Sequence, residues 1–185
     1  MKCDIVIVGS GVAGLYCALN LPKDKKIIVL TKSKAEESDS FLAQGGICVE
    51  RDDGDYDSFY EDTMRAGHYE NTPASVDIMI RDSREIISDL VRFGADFEKN
   101  ENGFVYTREG AHSRPRILFH KDVTGKEITK TLLNTVSERD NITLIEDFTM
   151  VDLICKGEEC LGIIGKRKAN LHRFLPTTPC LRRAE

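Results

Sequence analysis

The sequence predicts an α/β fold, and three observations carry the prediction. Ile5 to Val8 is a β-branched apolar run bounded by Gly9, suited to a central parallel strand covered on both faces. Gly9, Gly11 and Gly14 then form a G-x-G-x-x-G that opens an apolar helix. A second apolar strand, Ile27 to Leu30, follows a short charged turn. That order is the start of a Rossmann-like domain with a parallel sheet, to which the later segments add inserted helices and a β-hairpin.

Each glycine has a separate physical task. Gly9 allows the tight turn, Gly11 lets a pyrophosphate approach the backbone, and Gly14 lets helix and strand pack closely. The helix start offers free N–H groups and the positive end of its dipole to phosphates. Strand, turn, helix and second strand together point to a dinucleotide site; the competing reading is a βαβ unit with a glycine turn and no ligand. A dinucleotide fold usually places an acid at the end of the second strand to hold a ribose hydroxyl. Thr31 stands there and Lys32 follows, which departs from the NAD pattern.

The segment from Ser38 to Ile47 leads small hydroxyl residues into Gln44, Gly45 and Gly46. Such a loop can line a flat ring or a phosphate, because glycine permits unusual dihedrals and close approach; by composition it is simply a loop. The acidic stretch Glu50 to Asp57 reads as a solvated turn with no chemistry. Ser58 to Gly67 and Ala74 to Phe93 read as packing helices, the second entered at Pro73 and ended at Gly94. Asp96 to Tyr106 reads as a hairpin turning at Asn102-Gly103.

Thr107 to Arg116 is irregular and dense in Arg, Glu and His. It is either a surface for an anionic substrate or a solvated turn. Thr124-Gly125-Lys126-Glu127 has the form of a capping box, opening a helix that carries Ile128, Leu132 and Val136. A strand over Asn141 to Glu146 follows, then a β-hairpin of Phe148 to Cys155 with Leu161 to Lys166.

Formal net charge is −5, so no basic footprint supports nucleic-acid binding. No apolar run reaches the length of a membrane span, and no secretory leader is recognisable. Of the six cysteines, Cys3, Cys17 and Cys155 sit in apolar patterns and read as reduced core thiols. There is no C-x-x-C, and His112 and His120 lack metal-ligand spacing, so no metal is expected and a cytoplasmic location fits.

Taken together, the segments resemble the fumarate reductase/succinate dehydrogenase flavoprotein superfamily, and within it the L-aspartate oxidase family. The matching stretches are DIVIVGSGVAGLYCAL (4–19), VLTK (29–32), SFLAQGGI (40–47), DSFYEDTMRAG (57–67), TREGAHSRPRILFHKDVTGKEI (107–128) and VDLI (151–154). The resemblance implies non-covalent FAD. It places the pyrophosphate at the backbone of Ser10, Gly11, Val12 and Ala13, with Gly9 and Gly14 also at the cofactor. Thr31 and Lys32 fall by the adenosine, and the backbone of Met150 by the adenine side. Ser40, Phe41, Leu42, Ala43, Gln44, Gly45 and Gly46 line the flavin. The dehydrogenase branch links FAD covalently to a His at the position of Asp39; a carboxylate cannot form that link, which favours the oxidase branch.

The resemblance further implies that Glu109 faces the substrate ammonium, which a plain dicarboxylate lacks. Arg116 matches a position near the active site. The implied reaction moves hydride from the α-carbon of L-aspartate to the flavin, giving iminosuccinate for NAD (quinolinate) biosynthesis. Dioxygen or fumarate takes the electrons, and iminosuccinate passes to quinolinate synthase. The alternatives are a fumarate reductase/succinate dehydrogenase-like flavoprotein and a nonfunctional nucleotide-binding fragment.

Family chains are far longer. Residues 1–168 are expected to be the N-terminal part of the FAD-binding domain, without the capping domain and without the main catalytic Arg and His. Residues 169–185 show no strand alternation where the family has a strand and an A-T-G-G turn, so a shifted reading frame near Ala169 is expected. A chain of this extent is expected to be inactive alone and to bind FAD weakly or not at all.

Overall fold

The structure, a computed structural model, describes residues 3–177. In chain order its strands and helices begin with β1 (Ile5–Val8), α1 (Val12–Asn20), β2 (Ile27–Leu30), α2 (Asp39–Leu42) and β3 (Ile47–Cys48). They continue with α3 (Tyr56–Ala66), α4 (Pro73–Phe93), β4 (Lys99–Asn100), β5 (Gly103–Phe104), β6 (Ile117–Leu118) and α5 (Thr124–Ser137). The last four strands are β7 (Ile142–Ile145), β8 (Phe148–Lys156), β9 (Glu159–Arg167) and β10 (Asn170–Phe174). No helix among the described residues is long and apolar enough to cross a membrane. The chain forms two compact units, one built from the chain up to Leu42 and from Ile128 onward, the other from Ala43–Glu127.

In the first unit the predicted parallel sheet is present, in the order β1-β2-β7. Ile5 pairs with Ile27, and Ile27 with Ile142. The central strand β2 is buried along its whole length, as its unbroken apolar run requires. Leu15, Ala18 and Leu19 of α1 are buried, giving the helix its core face.

An antiparallel sheet in the order β10-β9-β8 completes this unit. Side chains from both sheets make one cluster, including Val6, Leu30, Ile145, Phe148, Ile163 and Phe174. The expected hairpin is therefore two strands of three, and the segment read as lacking a strand holds β10, paired from Asn170–Arg167 to Phe174–Ile163. Alternation is hard to see in β10 because only Phe174 is buried; pairing with β9 decides the conformation. The end of the segment read as atypical, residues 178–185, lies outside the described residues.

In the second unit α3 packs on α4 through Phe59, Met64, Val76 and Ile80. Pro73 occupies the first turn of α4, and Gly94 ends it in the left-handed region at φ 107°. Strands β3 and β6 pair antiparallel, as do β4 and β5.

Two local expectations are corrected in this unit. The Glu50–Asp57 stretch is not wholly solvated, because Asp55 is completely buried. The capping box at α5 is not formed: the Thr124 hydroxyl accepts from the His120 N–H and donates to the Gly45 carbonyl, while Glu127 accepts from the Asp96 N–H. Partners distant in sequence took both side chains.

Candidate functional site

The first unit holds a cavity of about 530 Å³ over the carboxyl ends of β1 and β2. That is where an open α/β sheet receives ligands. Gly9, Ser10 and Gly11 form one wall, Thr31 and Lys32 another, and Thr149 and Met150 of β8 a third. Six of the residues expected at a dinucleotide thus meet around one space. Glu37 and Asp39 also reach it. Glu37, which sequence reasoning missed, lines the cavity from a single 3-10 turn, Ala35–Glu37.

The turn is fixed before any ligand arrives. Gly9 sits at φ 113° and donates its N–H to the Leu30 carbonyl at 2.8 Å. A Cβ on Gly14 would stand 2.2 Å from the Gly9 carbonyl oxygen, so helix and turn approach more closely than any other residue permits. The Val12 N–H, expected at the pyrophosphate, donates instead to Ser40 Oγ at 3.2 Å. Ser10 is buried, and its hydroxyl has no partner. A buried hydroxyl left unpaired is costly, and Ser10 is one of the residues that line the cavity. Thr31 spends its backbone on the Ile145 carbonyl and the Phe148 N–H, leaving its side chain for the cavity wall.

The second unit holds the other candidate residues. Gly45, at φ 76°, lies with the Glu109 carboxylate 3.4 Å from where a Cβ would be. Gly46 packs so tightly on Ile117 and Leu118 that a Cβ would fall 2.3 Å from each. The start of α5 holds this loop: Gly125 donates its N–H to the Ala43 carbonyl at 3.2 Å, and the Thr124 hydroxyl donates to the Gly45 carbonyl at 2.5 Å. Ser40, Phe41 and Leu42 belong to the first unit and Ala43, Gln44, Gly45 and Gly46 to the second.

Arg116 is fully buried between Asp55 and Asp62. Its Nε and Nη2 donate to Asp55, Nη1 to Asp62 and to His112 Nδ1, and Nη2 also to Ser58 Oγ. A guanidinium has five N–H donors, and all five have partners. Arg116 therefore has none left for a substrate, and the position expected near the active site is an internal anchor. Burial pushes the Asp55 carboxyl up, but bonds from Arg116, Ser58 and the Arg51 N–H outweigh it and hold it at about 2. Asp62 is held well below the usual carboxylate range in the same way, by Ser113 and Arg116 against the cost of burial.

Because Arg116 can only donate, His112 Nδ1 must accept, and the ring proton sits on Nε2. Nε2 in turn lies 3.0 Å from Cys48 Sγ. Burial and the Arg116 charge both lower the His112 pKa, keeping the ring neutral. Burial raises the Cys48 pKa, so its thiol stays protonated. Sequence reasoning missed Asp55 and Asp62 altogether; the one available signal was their placement before and within the amphipathic helix α3. Among the described residues no group of three or more His, Cys, Asp or Glu could hold a metal ion.

The family model described as FAD binding domain matches residues 4–179. The chain belongs to this family. Its cofactor is FAD, and the first unit of the FAD-binding domain fits the group: the glycine turn leaves room only for backbone, and the Ser10 hydroxyl waits unpaired beside it.

The domain is 49% identical over 161 residues to an L-aspartate oxidase of Clostridium perfringens, covering 87% of this chain and 37% of that protein. It is 45% identical over 175 residues to an L-aspartate oxidase of Clostridium acetobutylicum, covering 94% of this chain and 40% of that protein. The chain thus spans about two fifths of these relatives. Its fold is that of fumarate reductase flavoproteins: an E. coli quinol fumarate reductase superimposes with a TM-score of 0.91 at 22% identity, over 98% of this chain and 32% of that one. Mycobacterium smegmatis Sdh1 gives 0.88 at 23% identity, over 98% of this chain and 33% of that one.

Proposed function

We propose that the chain is the N-terminal, FAD-binding part of an L-aspartate oxidase that converts L-aspartate to iminosuccinate. The observation that carries the reading is Glu109 against Gly45 of the glycine loop. An exposed carboxylate there attracts an α-ammonium group and repels a plain dicarboxylate. Succinate and fumarate offer no ammonium, so Glu109 speaks against the dehydrogenase reading. Asp39 does too, since it lines the nucleotide cavity with a side chain unable to take the covalent flavin link.

The chain's own residues then divide the work. Gly9 to Gly14, Thr31, Lys32 and Met150 hold the dinucleotide, with the Ser10 hydroxyl donating to it. Ala43 to Gly46 border the flavin ring, fixed by Thr124 and Gly125. Arg116, Asp55 and Asp62 hold the segment that carries Glu109. Bound FAD supplies the two-electron acceptor that hydride from the substrate α-carbon requires. Electrons pass on to dioxygen or fumarate, and iminosuccinate to quinolinate synthase in the cytoplasm. The 185-residue polypeptide by itself is expected to release no hydrogen peroxide with L-aspartate.

The deciding experiment loads FAD on a protein of the relatives' length that carries this domain and follows the visible flavin bands without oxygen. Bleaching by L-aspartate and not by succinate is expected. Bleaching by succinate alone would establish the dehydrogenase reading instead. A protein that stays colourless after loading would favour a domain that no longer serves a flavin.

A further inference from the structure

Cys155 and Cys160 face each other across the hairpin of β8 and β9, as direct register partners. Both thiols are free. The sequence reading of Cys155 as a core thiol is corrected here: it is exposed, on the edge strand of its sheet. The turn between the strands is two residues, Gly157 at φ 62° and Glu158, closed by the pair Lys156 and Glu159. The pair that closes a two-residue turn exchanges backbone hydrogen bonds, so the next pair outward is not hydrogen-bonded. That next pair is Cys155 and Cys160.

Non-hydrogen-bonded partners have Cα atoms roughly 4.5 Å apart and side chains on one face. A disulfide spans Cα separations of roughly 4.4–6.8 Å. The ladder becomes irregular only beyond this pair, between Ile154 and Cys155. Of the other described cysteines, Cys3 precedes β1, Cys17 lies in α1, and Cys48 pairs with Ile117.

We propose that Cys155 and Cys160 are a peroxide-oxidisable dithiol that closes reversibly to a disulfide across the hairpin. The exposed Cys155 sulfur attacks hydrogen peroxide, breaking the O–O bond, and becomes a sulfenic acid as one water leaves. The Cys160 sulfur then attacks it, the S–S bond forms, and the hydroxyl departs with the Cys160 proton as a second water. The pair loses two electrons and two protons, which the peroxide takes up. A small-molecule dithiol such as dithiothreitol returns both thiols. The strand carrying Cys155 also brings Thr149 and Met150 to the nucleotide cavity, so the bond would form on a cofactor-bearing element.

The 185-residue chain is treated with equimolar hydrogen peroxide, alkylated and digested with trypsin. Lys156 lies between the cysteines, so cleavage separates them onto the peptides Asp140 to Lys156 and Gly157 to Lys166. The expected product is one linked species, lighter than the two peptides together by two hydrogens, which dithiothreitol splits. Recovery of both peptides alkylated overturns the proposal. So does Cys155 found as sulfinic or sulfonic acid, or linked to any other cysteine or chain. In Cys160→Ser, peroxide is expected to drive Cys155 to those very products; a variant whose Cys155 escapes over-oxidation as it does in the parent chain would also overturn the proposal.

Discussion

Asp62 Oδ2 takes a bond from Arg116 Nη1 at 2.6 Å, and the same oxygen accepts from the N–H and the hydroxyl of Ser113. Asp62 therefore shares a buried guanidinium with Asp55 and ties down the segment that follows Glu109. Removing it leaves Arg116 underpaired inside the unit. Asp62→Ala is expected to cost about 3–5 kcal/mol, the range for breaking a buried pair on one side. The drop in urea midpoint measures it. A loss under about 1 kcal/mol would mean that the pair behaves like a solvated one.

Acid should unfold the domain in two stages. His112 has a pKa lowered from 6.5, so its contribution is complete above that value and declines as pH falls through the depressed one. Asp55 has a pKa lowered from 3.8 to about 2, so its contribution is complete above 3.8 and is lost as pH falls towards 2. Asp62 adds to the second stage in the same sense. Thermal midpoints measured from neutral pH to pH 2 are expected to fall gently first and steeply below 3.8. Flat stability across the acid limb would show that the carboxylates keep no advantage in the folded chain.

Local pattern made the glycine turn and the packing helices legible and concealed what depends on partners distant in sequence. The strand, turn and helix from Ile5 to Asn20 are set by neighbours in sequence, and their glycines carry meaning at fixed offsets. Asp55 gave no such signal, because it is buried by Arg116, which arrives from 61 residues away. Thr124 and Glu127 matched a local motif but found stronger partners at Gly45 and Asp96. Cys155 was misread because β8 is apolar yet lies at a sheet edge, where Val151 and Leu153 are exposed as well. Glu109 was recognisable only through family resemblance; its nearness to Gly45 required the fold.

Glu109→Gln keeps the shape of the side chain and removes its charge. In a protein of the relatives' length carrying this domain, the lost bond to an ammonium is expected to cost about 1.5–3 kcal/mol, or roughly 10–150-fold in kcat/KM for L-aspartate. Reaction with succinate should not fall, because the repulsion of a plain dicarboxylate is gone. Steady-state rates with both substrates check this. An equal loss with each would place Glu109 in general stability of the loop, not in recognition of the ammonium.

Ser10→Ala is expected to move stability and cofactor affinity in opposite directions. In the free chain the Ser10 hydroxyl is buried and unpaired, so removing it relieves a desolvation cost and replaces nothing that was bonded. The apo urea midpoint should therefore stay level or rise. In the proposed FAD complex the same hydroxyl would donate to a phosphate oxygen, a charge-assisted bond worth about 1.5–3 kcal/mol. Affinity should drop roughly 10–150-fold, measured by flavin fluorescence quenching. A variant less stable without FAD but equal in affinity would show that the hydroxyl serves the turn and leaves the dinucleotide to the backbone.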